Sequence, residues 1–280
     1  MKDFTGKIKV FFLAAVSLTL ICTALFTLSM FTSFDAEAGY FSSNALLPSI
    51  QKAVAIMSIL FFASIVIFIP KKALPTTDQS NVVFTTFASL ACGFLFAIGA
   101  IIFYLLYRND AGWMQDTIRY VFTGIYVSGI LAAVYFLICG LSSTGKWLAL
   151  KTASAIFAVA NLLLIIVFEH LDYYVPINSV RKTMLFVCFA FAIMFIAQDL
   201  RFKANIGQPR VYFFFGSSTM LLSATMSVSH LIAHYAGVLK DSSFLIYYLI
   251  GLGLAIYSFA KLLAYVKYTD YIASHSTEEV

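Results

Sequence analysis

Charge is what this sequence has least of. Lys and Arg number 18 and Asp and Glu 13, so 11% of the 280 residues are charged, against about 25% in soluble domains. With 61% of positions apolar, a soluble globular fold is excluded. Cysteine is sparse too: Cys22, Cys92, Cys139 and Cys188 lie in four separate apolar runs, with no Cys-x-x-Cys pair. They imply neither a disulfide framework nor a cysteine-based metal site and read as small packing residues. There is no Asn-x-Ser/Thr sequon, Walker A loop, dinucleotide fingerprint or nucleophile elbow. The net charge of +5 reads as membrane orientation rather than nucleic-acid binding.

What the chain does have is long apolar runs. A bilayer core about 30 Å thick needs roughly 20 apolar helical residues, and eight such runs occur: 10–31, 53–69, 82–107, 121–141, 148–168, 183–200, 211–237 and 244–265. The expected fold is therefore an all-α, polytopic bundle of eight transmembrane helices, residues 1–280 forming one membrane domain in contact with the lipid bilayer. The longest loop, about 32–52, is too short to fold alone, so no soluble catalytic or binding domain is expected.

Basic residues divide unevenly between the two loop sets. Lys2, Lys7, Lys9, Lys71, Lys72, Lys146, Lys151, Arg201, Lys203, Arg210, Lys261 and Lys267 share one side; Lys52, Arg108, Arg119, Arg181, Lys182 and Lys240 share the other. The positive-inside rule makes the first side cytoplasmic, with both termini there. Ala36-Glu37-Ala38 after the first run looks like a signal-peptidase site. The run is about 22 residues, longer than the roughly 7–15 of a cleaved signal, so it is read as a retained helix. Compact loops and a lysine-rich inner face suit a bacterial cytoplasmic membrane.

Acids follow an aromatic helix end both at Phe34-Asp35 and at Phe168-Glu169, and Lys72 and Lys203 occupy comparable inner loops. These offsets suggest a four-plus-four parallel duplication with halves 1–146 and 147–280. Helix-sized spacing of outer acids and inner lysines produces similar offsets without ancestry, and both explanations stand at this stage.

The segment Phe34–Phe41, reading FDAEAGYF directly after the first run, resembles a feature of multi-spanning membrane proteins of clostridial-type bacteria. There an acidic, Gly-aromatic stretch follows the first helix. The resemblance implies no activity and supports the bacterial-membrane reading.

Polar groups inside spans are the candidates for function. On the seventh span, at 100° per residue, Thr219, Ser223, Ser227, His230 and His234 share an arc of about 80°. The arc of Leu221, Ala224, Val228, Leu231 and Ile232 is suited to lipid or an apolar neighbour. Glu169, His170 and Asp172 approach from the end of the fifth span, and Asp35 and Glu37 from the end of the first. Asn161 lies deep in the fifth span and needs a partner, most simply another helix. Asp199 with Arg201 and Lys203 reads as an interfacial charge cluster, and Lys261 as a snorkelling lysine.

The leading expectation is a protein binding or passing a small solute or ion through a polar pocket open to the outer face, without cofactor. A second reading is a membrane-embedded metal-dependent hydrolase holding a zinc-type ion through His230, His234 and His170. It lacks the intervening Glu of His-Glu-x-x-His, and the seventh span lacks Ser/His/Asp companions on other spans. A third is a non-catalytic anchor or assembly subunit with a membrane-protein partner or in a homo-oligomer. Ordinary interhelical hydrogen bonding is the reference explanation for Ser, Thr and His in a bundle.

Overall fold

The computed structural model describes residues 2–36, 39–42, 44–68, 83–108, 116–142, 147–171, 176–239 and 244–275. It contains eight helices long and apolar enough to cross a membrane: α1 (Lys2–Thr32), α2 (Leu46–Phe68), α3 (Val83–Tyr107), α4 (Asp116–Leu141), α5 (Leu148–Leu171), α6 (Val180–Lys203), α7 (Pro209–Tyr235) and α8 (Leu245–His275). Between α1 and α2 a two-stranded antiparallel ribbon pairs β1 (Phe34–Asp35) with β2 (Tyr40–Phe41). The chain is a polytopic all-α bundle.

Several helices outrun the apolar stretches that predict them. α2 starts at Leu46 rather than 53, because Pro48 falls in the first turn, where the missing N–H would have no intrahelical partner anyway. α6 runs through Arg181 and Lys182 at one end and Arg201 and Lys203 at the other. Hydropathy marks the lipid-matched middle of a helix, while backbone hydrogen bonding continues past it. α7 begins with Pro209 at its first position, whose fixed φ suits a helix start. It ends where Gly237 turns left-handed at φ +78°; Gly237 N–H donates to His234 O and Val238 N–H to Ala233 O, a Schellman closure.

Two helices form the interior. α7 packs on α1, α2, α6 and α8, while α8 also packs on α1, α3 and α6; α3, α4, α5 and α6 follow one another around the outside. Of the α7 and α8 spans 72% is buried, against 22% of α2. Gly251 of α8 sets the closeness of the central pair: a Cβ there would lie 2.3 Å from Ser227 Oγ and 2.7 Å from Met226 Cε. On the outside, α1 and α2 leave an apolar groove of about 560 Å³ lined by Ala14, Leu18, Val54, Met57 and Phe61 among others.

An ion pair of 2.7 Å between Lys9 and Asp270 puts the start of α1 beside the end of α8. The start of α1 and the end of α8 therefore lie at one end of the bundle, here the terminus end; the β1–β2 ribbon marks the other, the hairpin end.

Candidate functional site

The site builds from α7, which is the least hydrophobic of the eight spans and yet buried on almost every side. Thr219, Ser223, Ser227 and His230 are all fully buried, and His234 is half-buried near the hairpin end. The expected polar arc therefore exists as a continuous internal face rather than an exposed one. Ser223 Oγ sits 3.1 Å from Cys188 Sγ of α6. The hydroxyls of Thr219 and Ser227 have no hydrogen-bond partner among the described residues, and the same holds for Ser217 and Ser218.

His230 Nδ1 is 2.6 Å from Met226 O. A carbonyl oxygen can only accept, so Nδ1 carries the proton. Its ring stacks on Tyr248 at 4.5 Å and lies 5.4 Å from Phe26. Nε2, thereby left as the acceptor, is buried with no partner among the described residues.

A second polar face of α7 escaped the sequence reading. Thr225 Oγ1 is 3.4 Å from Thr23 Oγ1, Thr27 donates to Ser229 Oγ at 2.8 Å, and Ser229 donates to Thr23 O at 3.2 Å. At 100° per residue Ser218, Thr225 and Ser229 share an arc of about 40°, so periodicity alone could have found this seam with α1. Here every hydroxyl of the Thr23, Thr27, Thr225 and Ser229 set is used in interhelical bonding.

The other sequence candidates that the structure describes sit on other elements. Asn161 donates from Nδ2 to Ile125 O at 2.8 Å and to Ser128 Oγ at 3.2 Å. It thus clamps α5 to α4, in a seam with Phe96, Gly129 and Tyr247 that has no room for a water. Glu169 is buried at the end of α5, where its carbonyl oxygen accepts from Lys182 Nζ at 2.7 Å. Asp35 is exposed on β1 and His170 is exposed on α5. Glu37 and Asp172 lie outside the described residues. Among the described residues no three His, Cys, Asp or Glu side chains gather as a metal ion requires. The zinc-type set of His230, His234 and His170 is therefore not assembled, since His230 is packed inside while His170 faces out.

One correction is substantial. Asp199, Lys203 and Lys261, expected at the membrane interface, are buried among α4, α5, α6 and α8. Lys203 Nζ contacts Asp199 Oδ2 at 2.5 Å, and Tyr257 and Tyr135 donate to the same oxygen at 2.6 and 3.2 Å. Lys203 Nζ also lies 2.9 Å from Cys139 Sγ and 3.2 Å from Tyr135 Oη. Lys261 Nζ stands 3.9 Å from Asp199 Oδ1. Lys151 at the start of α5 is also buried, 1% exposed. The sequence signal for this centre was three charged helix ends on one side; their convergence is a tertiary fact.

No protein-family model, curated protein or solved structure matches the chain.

Proposed function

We propose that this multi-pass membrane protein binds or passes a small solute or ion along the internal polar face of α7, entered from the hairpin end. The observation that carries the reading is that α7, with α8 the most buried of the spans, holds hydroxyls of Thr219 and Ser227, and Nε2 of His230, without protein partners among the described residues. A buried polar group left unpaired costs about 1–3 kcal/mol, so several in one line favour water or a bound solute as their partner. On the opposite face Thr23, Thr27, Thr225 and Ser229 satisfy one another as packing requires, although Ser218 on that arc and Ser217 have no partner among the described residues.

In this reading the conformation described is a closed one, His230 being shut in by Tyr248 and Phe26. The membrane is the bacterial cytoplasmic one, with the terminus end inside. Reporter fusions at Gly39, Gly112, Asp172 and Lys240 are expected outside, and those at Pro75, Gly145, Gly207 and Ser274 inside. One reversed interior loop overturns the orientation.

Cysteine substitution tests the path itself. Cysteines at 230 and 234 are expected to react from outside with a small membrane-impermeant thiol reagent, the deeper one more slowly. Cysteines at 221 and 228 are expected to stay protected. Equal inertness on both arcs would reduce the polar face to packing.

A further inference from the structure

We propose that Cys139 and Lys203 form a redox-controlled cross-link: a hydroperoxide oxidises the thiol, and the Lys203 amine condenses with the product to a sulfenamide that ties α4 to α6. Nothing in this depends on the α7 pathway.

The four cysteines differ in their surroundings. Cys22, Cys92 and Cys188 are fully buried, the first and last of them against the hydroxyls of Ser58 and Ser223. Cys139, near the end of α4, is the partly exposed one, and its sulfur lies 2.9 Å from Lys203 Nζ of α6. Reactive cysteines sit partly exposed in electropositive surroundings, whereas cysteines buried in apolar ones are inert. Of the four, Cys139 alone meets both conditions.

The nitrogen is held against this sulfur from three helices. Lys203 Nζ contacts Asp199 Oδ2 of its own helix at 2.5 Å, Tyr135 Oη of α4 at 3.2 Å and Tyr257 Oη of α8 at 3.4 Å. An ammonium has three protons to donate, so the three oxygens already satisfy it. The sulfur is a fourth neighbour that charge pairing does not require. Two reacting atoms fixed at contact distance behave as in an intramolecular reaction, with a large effective concentration.

The chemistry takes two steps. In the first, sulfur attacks one oxygen of the peroxide; the S–O bond forms as the O–O bond breaks, and the thiol proton leaves with the departing hydroxide as water. Sulfur is oxidised to the sulfenic acid and the peroxide is reduced. In the second, Lys203 passes one proton to Asp199 Oδ2 and the free amine attacks the sulfur. The S–N bond forms, the S–O bond breaks, and hydroxide leaves with a second amine proton as water, a condensation of the kind sulfenic acids undergo with nitrogen. Asp199 keeps the first proton. Two equivalents of a small thiol reverse the bridge, returning Cys139 and Lys203 and leaving a disulfide of the reductant.

Oxidation thus replaces a buried ion pair by a covalent tie between the ends of two helices. With the terminus end inside, the tie forms where thiols are kept reduced, so it marks an oxidising episode and is reset when that ends.

The test uses the full chain, purified in detergent, treated with hydrogen peroxide and then with iodoacetamide to block remaining thiols. Trypsin is expected to lose its cut after Lys203, and one fragment should appear with the mass of the Cys139 and Lys203 peptides less two hydrogens. Dithiothreitol should restore the cut. Lys203→Arg is expected to stop at the sulfenic acid, trapped on Cys139 by dimedone, and Cys139→Ser to leave cleavage after Lys203 unchanged by peroxide.

A dimedone adduct on wild-type Cys139 with the Lys203 cut intact overturns the cross-link. So does a disulfide from Cys139 to Cys92, and so does a Cys139 that stays unmodified at a dose that oxidises the methionines. The wild-type fragments decide the matter without any variant, so a mutant that fails to fold leaves the test standing.

Discussion

The second and seventh helices are similar in length and opposite in surroundings. α2 buries 22% of its span and α7 buries 72%, although α7 is the less hydrophobic of the two. In water that order would be inverted. In a bilayer the lipid is as apolar as leucine, so hydrophobicity does not draw a helix inward; hydrogen bonds and close packing do. α2 shows Ile56, Met57, Leu60 and Ile67 to its surroundings, whereas α7 turns hydroxyls toward α1 and a glycine-backed face toward α8. The polar helix is inside because it is polar.

The sharpest break in that contrast should come at the terminus end of the interior. Asp199→Ala leaves Lys203 buried beside two tyrosines without its carboxylate. Removing one partner of a buried pair costs about 3–5 kcal/mol, so loss of the folded peak in detergent gel filtration on mild heating is expected. An unchanged melting profile would mean that the cluster is wet and loosely held.

Gly251→Ala comes next, because its new methyl meets Ser227 Oγ and Met226 Cε at distances no real contact tolerates. Overpacking of this kind costs about 1–3 kcal/mol. Adding Ser227→Gly should recover part of the loss in thermal unfolding; additive losses would show that the two helices do not meet there.

Thr27→Val removes one interhelical bond of the α1–α7 seam, and such bonds average about 0.6 kcal/mol in membrane bundles. A double-mutant cycle with Ser229→Ala should return a coupling of that order. Smallest of all is Ile56→Leu on the outer face of α2, expected within about 0.5 kcal/mol of no effect. A large loss there would show that α2 carries a protein contact rather than lipid.

The eight spans were legible because lipid imposes one length and one composition on each of them, and the polar arc of α7 was legible because it repeats at helical spacing. Two things were not. Charged residues at the end of an apolar run look the same in sequence whether they reach for headgroups or fold inward. Asp199, Lys203 and Lys261 were misplaced for that reason, and only the meeting of α6 with α8 decides it. Depth was the second: His230 sits on the predicted face, but whether that face meets water or Tyr248 depends on α8, a separate stretch of chain.

The seam between α1 and α7 also sets a timetable for biosynthesis. Its partners, Thr27 and Ser229, are 202 residues apart. At ribosomal speeds of about 5–20 residues per second, α1 waits roughly 10–40 s for α7 to be made. During that wait Thr27 need not be idle in the lipid, since its hydroxyl also reaches back to Thr23 O at 2.7 Å within its own helix. The first helix thus carries its own solvation before the seventh emerges, and the contact with Thr23 O persists beside the one to Ser229 in the folded bundle.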